Sequence, residues 1–275
     1  MMTSKYFVTM LYHDVDEPSN FDATGFQGAL ADTYKLKTSD FISHLESISS
    51  ARDDAPVLID TALPNVGRRA PWMITFDDGG TSALHPTADL LESRGWRGHF
   101  FITTGSTGKA GFLNADGVRE LRARGHLIGA HSVTHPLRMA DLDDASLLRE
   151  WRDCRDTLES ILNERVVVGS VPGGLYSDRV AKAAGVAGLR VLFNSEPTRK
   201  VRQVSDVTVI GRYSFKASSP ASQVESLASE SPVARTAQWV LWNSKTTLKT
   251  LSPKGFQAIS RLVTRVRGQR AERDS

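Results

Sequence analysis

The sequence predicts an α/β fold in which a parallel sheet is wrapped into a barrel with its chemistry gathered at one rim. Two observations carry this. Short apolar runs rich in β-branched and aromatic residues alternate with amphipathic segments about six times between Tyr6 and Tyr213, the pattern of parallel strands joined by right-handed helical crossovers. Polar residues also gather where the apolar runs stop, as in Phe76-Asp77-Asp78-Gly79, Ala130-His131 and Phe193-Asn194-Ser195. Side chains collected at strand ends favour a barrel over an open sheet.

The elements follow in order. Tyr6 to Tyr12 reads as the first strand and runs into His13-Asp14. Residues 16–36 carry Pro18, Gly25 and Gly28 and read as a loop on the site side. Thr38-Ser39-Asp40 is a cap for a helix whose Phe41, Leu45 and Ile48 share a face. A polar connection over 51–70 holds at most one short strand, at Val57 to Ile59. Trp72 to Phe76 is a buried strand, followed by a helix from Ala83 to Arg94, a strand from His99 to Ile102 and a helix from Asn114 to Arg124. Leu127 to Ala130 is the next strand. A long amphipathic helix from Asp143 to Asn163 buries Leu147, Trp151 and Leu158. Strands at Val166 to Val168, Val191 to Phe193 and Val207 to Ile210, with a helix from Arg179 to Ala187, complete the pattern. No repeat of fixed period is present.

Composition narrows the function. Of 275 residues, 40% are apolar and 24% charged, and the formal net charge is only +3, so the chain reads as an ordinary globular protein with no electrostatic footprint for nucleic acid. The single cysteine, Cys154, excludes an internal disulfide and reads as a structural thiol. The apolar run after Lys5 is too short for a secretory signal, and no stretch reaches the roughly eighteen apolar residues of a membrane span. The expectation is a cytoplasmic protein.

Two stretches carry chemistry. In Trp72-Met73-Ile74-Thr75-Phe76-Asp77-Asp78-Gly79-Gly80 a strand ends in paired carboxylates. Alternation along a strand sends the two in different directions, so one can bind a metal while the other faces a substrate. Alone, Asp-Asp-Gly is also a common solvated turn. The second stretch is His126-Leu127-Ile128-Gly129-Ala130-His131-Ser132-Val133-Thr134-His135, in which a strand-end histidine is followed by another four residues on. In a helical turn that spacing brings both imidazoles to one ion. Asp78, His131 and His135 would make a facial set of two imidazoles and a carboxylate, a donor set that suits Zn and equally Co, Ni or Mn.

Thr75-Phe76-Asp77-Asp78-Gly79 and His131-Ser132-Val133-Thr134-His135 resemble the first two motifs of the polysaccharide deacetylases, the NodB-homology domains. The resemblance covers most of residues 5–215 and implies a distorted (β/α)7 barrel. It implies Asp77 as catalytic base, Asp78, His131 and His135 as ligands of a divalent metal, most simply Zn2+, and an N-acetylated oligo- or polysaccharide as substrate. The family's late-strand histidine is missing after Val209-Ile210, but Met10-Leu11-Tyr12-His13-Asp14 is similar to that motif moved to the front, as in the circularly permuted poly-N-acetylglucosamine deacetylases. By this carry-over His13 is the general acid, with Asp14 beside it as orienting or substrate-binding partner. His13 also has a plain reading as a hydrogen-bonded strand-end residue. Val171-Pro172-Gly173-Gly174-Leu175-Tyr176 resembles the third motif and implies Pro172, Gly173 and Tyr176 in the substrate groove. Ser170 stands where that motif has an arginine, and Arg138, Arg179 or Arg212 are the candidates to replace it. Tyr12, Trp96 and Tyr176 are candidates for sugar stacking or, equally, for the core.

The implied activity is removal of N-acetyl groups from amino sugars of a surface polysaccharide or its precursor. Hydrolysis of another C–N bond, in a formamide or cyclic ureide, and glycan binding without turnover are the alternatives. The expected organisation is a catalytic barrel over 1–217 and an extension over 218–275. The extension opens with a Ser- and Pro-rich stretch over 218–232 that reads as a linker or surface loop, followed by a docking helix around Trp239 and Trp242. It closes with a basic amphipathic helix carrying Phe256, Ile259, Leu262, Val266, Arg261, Arg265 and Arg270. That helix either packs on the barrel with a solvated face or makes peripheral contact with an anionic membrane.

Overall fold

A computed structural model describes residues 6–59 and 69–251, with side chains as far as 243. The main sheet is built from β1 (Val8–Tyr12), β2 (Trp72–Phe76), β3 (His99–Ile102), β4 (Leu127–Ala130), β5 (Val168–Ser170), β6 (Val191–Phe193), β7 (Val207–Ile210) and β8 (Tyr213–Ser214). From β1 to β7 each strand pairs in parallel with the next, and β8 pairs in parallel with β1, Met10 opposite Tyr213. Only Gly211 and Arg212 separate β7 from β8. One broken strand over 207–214 therefore lies along β6 at its start and β1 at its end, and it draws the two margins of the sheet together. Arg202–Val204 adds a short antiparallel strand beside β7. This is the barrel the alternating pattern predicts, with 207–214 as its seventh parallel strand.

Strand parity sorts the core. Ile74, Phe76, Phe100, Ile102, Ile128, Leu192, Val207 and Val209 face outward and pack under the helices. Phe7, Met73, Phe101, Leu127, Val168, Phe193 and Ile210, on the alternate register, fill the barrel interior. With both faces covered, the strands read as near-continuous apolar runs. Continuing the inward register past each strand end reaches Asp77, His131, Ser170, Arg212 and His13.

The outer layer comprises α1 (Thr38–Ala51), α2 (Ala115–Ala123), α3 (Asp144–Leu162), α4 (Asp178–Val186), α5 (Ala221–Ala228) and α6 (Pro232–Leu251). Local chemistry sets several of their ends. Asn114 Oδ1 accepts from the Gly117 N–H at 2.9 Å, and Asp143 Oδ1 from the Ser146 N–H at 2.9 Å, each satisfying a donor the first turn would orphan. Asn163, at φ +53°, ends α3 in the left-handed region that asparagine tolerates. Cys154 is buried on α3, and burial pushes its thiol up to about 11, consistent with a structural role.

The chain departs from expectation in four places. The helix expected from Ala83 becomes regular only at Asp89, because Pro86 withholds a donor and His85 before it is extended (φ −135°, ψ 118°). The strand expected at 166–168 runs from Val168 to Ser170; the Val166 N–H instead binds Glu159 Oε1 at 2.9 Å. Val57 to Ile59 is not a strand, although the Val57 N–H reaches Trp72 O at 2.9 Å. The Ser- and Pro-rich stretch expected to be a linker contains α5, whose Val224, Leu227 and Ala228 are buried against the barrel's outer core. Serine and proline there start and flank a helix rather than spacing two bodies apart. The basic segment from Phe256 to Arg270 lies outside the described residues.

His99 is a buried titratable group with no part in the site. Its Nδ1–H donates to Ile74 O at 3.3 Å and its Nε2 accepts from the Ile59 N–H at 3.1 Å. Burial, aided by the nearby Arg212 charge, lowers its pKa to about 4 against the backbone bond that favours the cation. Because the folded value lies below the unfolded one, this contribution to stability is complete above pH 6.5. It is lost as pH falls from about 6.5 to about 4, amounting to about 3 kcal/mol. Urea unfolding between pH 7 and 4 should show that loss, and His99→Gln should flatten the pH slope; an unchanged slope in the variant would refute the assignment.

Candidate active site

The inward register converges on a buried ion pair. Arg212, in the break between β7 and β8, is fully buried and grips Asp77 with two charge-assisted bonds, Nη1 to Oδ1 at 2.7 Å and Nη2 to Oδ2 at 2.8 Å. Ser170 Oγ bridges the pair, accepting from Arg212 Nη2 at 2.7 Å and donating to Asp77 Oδ2 at 3.1 Å. The rest of the guanidinium is satisfied by Asn194 O at 3.0 Å and Thr75 Oγ1 at 3.3 Å, between the rings of Phe101 and Phe193. Burial alone would raise the Asp77 carboxyl. Arg212 and then His131 outweigh it and hold the group below the usual carboxylate range. Asp77 is thus an ionised carboxylate held in one orientation, the state a general base needs.

Of the three candidate arginines, Arg212 is the one that meets Asp77. Arg138 instead pairs with Asp141, and Arg179 with Asp144 and the carbonyls of Ala140 and Leu142.

Next to the pair, Asp78, His131 and His135 offer ligand atoms that all lie within 4.8 Å of one another. The Nε2 atoms of His131 and His135 stand 3.4 and 3.3 Å from Asp78 Oδ1. His131 Nδ1 faces the Ser170 carbonyl at 2.9 Å. A carbonyl only accepts, so that nitrogen carries a proton, and in the neutral ring Nε2 presents its lone pair to the centre. Burial raises the Asp78 carboxyl, but the two imidazoles bring it well below its ordinary value. Three convergent donors, an oriented tautomer and an ionised carboxylate fit a divalent cation of the zinc type.

The backbone there is unusual: Asp78, Ser132 and His135 have φ of 78°, 63° and 53°, values that side-chain-bearing residues adopt only when held. Glu150 on α3 does much of the holding. Its Oε2 accepts from the N–H groups of Val133 and Thr134 at 2.8 and 2.9 Å, and Oε1 accepts from the Thr134 hydroxyl at 2.6 Å. Ser132 Oγ accepts from the His135 N–H at 3.0 Å. Gly173 braces the far side: at φ +65°, a Cβ on it would lie 2.4 Å from Leu137 O, so only glycine lets the 172–174 turn meet the histidine loop.

His13 reaches the same centre from the end of β1. Burial lowers its pKa against the opposing charges of Asp78 and Asp77, with Arg212 and His131 adding to the lowering. Its ring lies 4.9 Å from that of Tyr34, and Nδ1 has no hydrogen-bond partner among the described residues. Asp14 does not orient it. The Asp14 carboxylate turns into the interior, where Oδ1 accepts from Thr24 Oγ1 at 2.6 Å and Ser82 Oγ at 2.7 Å. A Cβ on Gly80 would meet it at 2.0 Å. Asp14 knots the 16–36 loop to the segment after Asp78, and burial raises its pKa to about 6. That loop also brings Phe26 to 4.7 Å from the His135 ring and 5.0 Å from Phe112.

Of the stacking candidates, Tyr12 is a core residue packed among Phe41, Phe76 and Phe215, and Trp96 packs edge-on against Trp72. Tyr176 follows the turn that holds Pro172, and its hydroxyl donates to Asp178 at 3.0 Å.

Residues 65–192 match the polysaccharide deacetylase family model. Those residues are similar to a polysaccharide deacetylase domain. The Bacillus subtilis protein YxkH is 26% identical over 125 residues, covering 46% of this chain and 44% of its own length. A chitin deacetylase of Colletotrichum lindemuthianum is 35% identical over 90 residues, 32% of this chain and 36% of that one. The match thus spans less than half the length of these relatives. The fold reaches further. The Streptococcus pyogenes deacetylase PplD superposes with a TM-score of 0.64 over 79% of this chain and 95% of that chain at 15% identity. IcaB from Ammonifex degensii gives 0.64 over 82% and 98% at 17% identity.

The site makes two separable demands on its frame. Arg212→Met leaves Asp77 as an unpaired buried charge, which should cost about 3–5 kcal/mol. Adding Asp77→Asn should recover most of that loss, and denaturant unfolding of the three variants measures it. Glu150→Gln keeps the fold but loosens the histidine turn, and should weaken zinc binding roughly 10- to 100-fold by calorimetry. Unchanged affinity would mean that the turn holds itself.

Proposed function

We propose that this protein is a metal-dependent hydrolase that removes N-acetyl groups from the amino sugars of a surface polysaccharide or its lipid-linked precursor. The observation that supports it most is the Asp77–Arg212–Ser170 arrangement set against Asp78, His131 and His135. A buried carboxylate gripped by Arg212 beside three convergent ligand atoms supports a base acting next to a cation. The relatives' names add the substrate class by analogy alone.

Amide hydrolysis needs a base for water, an electrophile for the carbonyl and an acid for the departing amine. A divalent ion held by Asp78, His131 and His135, zinc being the simplest choice, would supply the Lewis acidity. Asp77 takes the proton of the attacking water. Arg212 keeps Asp77 ionised before that transfer and fixes both of its oxygens, so the base does not rotate away. A backbone N–H near Tyr176 stabilises the oxyanion, with Pro172 and Gly173 shaping the groove wall. His13 delivers the proton to the amine; its unpartnered Nδ1 leaves the ring free to cycle. Phe26 and Tyr34 line the approach.

A loss of the motif arginine would favour binding without turnover. Arg212 supplies that charge from another strand, and this favours catalysis. A formamide or a cyclic ureide would meet the same three groups, so substrate choice rests on the groove.

Acetate release from N-acetylglucosamine oligomers and lipid-linked precursors, with and without added Zn or Co, tests the reading. We expect metal-dependent release, a fall of at least roughly 100-fold in Asp77→Asn and in His13→Ala, and loss on chelation. Metal bound stoichiometrically with no release from any acetylated sugar would move the assignment to another amide or to a binding role.

A further inference from the structure

We infer that α6 is a membrane-surface helix whose partner is a bilayer containing anionic lipid. The inference stands apart from the deacetylase reading. Helices on a barrel normally turn their apolar stripe inward. On α6, Val233 is 79% exposed, Val240 50% and Leu241 58%. With exposed Ala237 they recur at i, i+4, i+7 and i+8 and so form one stripe. The opposite side rests on the body through half-buried Ala234 and Gln238, whose Nε2 donates to Ser214 O at 3.5 Å. Trp239, 49% exposed, lies off the stripe, in a groove with Pro197, Arg199 and Tyr213 of the body. The docking helix expected around Trp239 and Trp242 therefore packs with its apolar stripe outward.

Charge identifies the partner. Residues 232–275 hold nine Lys and Arg against two Asp and Glu, whereas residues 1–231 hold 25 against 29. The formal charges are +7 and −4, a polarity hidden by the chain's net +3. Helix α6 itself carries Arg235, Lys245 and Lys249 and no Asp or Glu, so a second copy would bring like charge against like and self-pairing is opposed, while anionic headgroups complement it. No helix among the described residues is long and apolar enough to cross a membrane, so the contact is in-plane adsorption. Such a helix would hold the barrel beside a lipid-anchored substrate.

The test is cosedimentation of the full chain with vesicles of phosphatidylcholine, with and without phosphatidylglycerol. Binding should appear with the anionic lipid, fall roughly tenfold or more at high salt, and fall at least as far in a Val233→Glu/Leu241→Glu variant. Both positions are exposed, so the variant should keep its circular dichroism and its acetate release from soluble oligomers. Absence of binding to anionic vesicles, or binding that the variant leaves unchanged, would overturn the inference. So would a lipid-free dimer in sedimentation equilibrium that the variant dissociates, which would make a second copy the partner.

Discussion

Asp77 and Arg212 meet inside a barrel, where neither charge has water to lean on. Removing a carboxylate and a guanidinium from solvent costs several kcal/mol each, and attraction recovers it only when geometry is good and every remaining donor is met. Here both conditions hold: two short bonds join the pair, Ser170 bridges it, and Asn194 O and Thr75 Oγ1 take up other guanidinium donors. The pair also joins the margins of the sheet. Asp77 follows β2, Ser170 ends β5, and Arg212 sits in the break where 207–214 passes from β6 to β1. Sheet closure and the orientation of the Asp77 carboxylate thus share one interaction.

The Asp78–His131–His135 cluster depends on that frame at one remove. The Ser170 carbonyl fixes the His131 tautomer while the Ser170 hydroxyl holds Asp77. A single residue therefore sets the proton inventory on both sides of the centre. The positive φ angles of Asp78, Ser132 and His135 are strain that isolated loops would relax. Glu150, the Ser132 cap and the close approach of Gly173 to Leu137 over-determine them. Preorganisation is purchased from the α3 surface and the 172–174 turn, which explains why these stretches are polar or glycine-rich where packing alone would want neither.

Much of this was legible in residue order. Period-two alternation in Met73-Thr75-Asp77 against Ile74-Phe76-Asp78 already separates the two aspartates, and the inward register carries through to His131 and His13. Signals set by partners distant in sequence were not legible. Nothing near Gly211-Arg212-Tyr213 announces that the arginine will lie against Asp77, because that contact spans 135 residues and depends on barrel closure. Asp14 looked like a partner for His13 because adjacency in sequence suggests it, yet successive strand residues face opposite ways. Its hydrogen bonds come from Thr24 and Ser82 instead. The Ser- and Pro-rich stretch misled in the other direction: composition suggested solvent, while Val224 and Leu227 at helical spacing had a buried face to fill.

The relocated arginine shows what the chemistry holds fixed. The Asp77 carboxylate meets a bidentate cation at its two oxygens, and that pairing has no stake in which strand supplies the guanidinium. In a barrel of this size the inward positions of several strands point at one small volume, so a guanidinium can arrive from the end of β7 as readily as from β5. The two origins exclude each other, since two arginines there would place like charges together without water. Serine at 170 is then more than a vacancy. Its small side chain admits the incoming guanidinium, and its hydroxyl donates to the carboxylate and accepts from the cation within one bridge. The substitution that looks like a lost motif from sequence is, in three dimensions, the complement of Arg212.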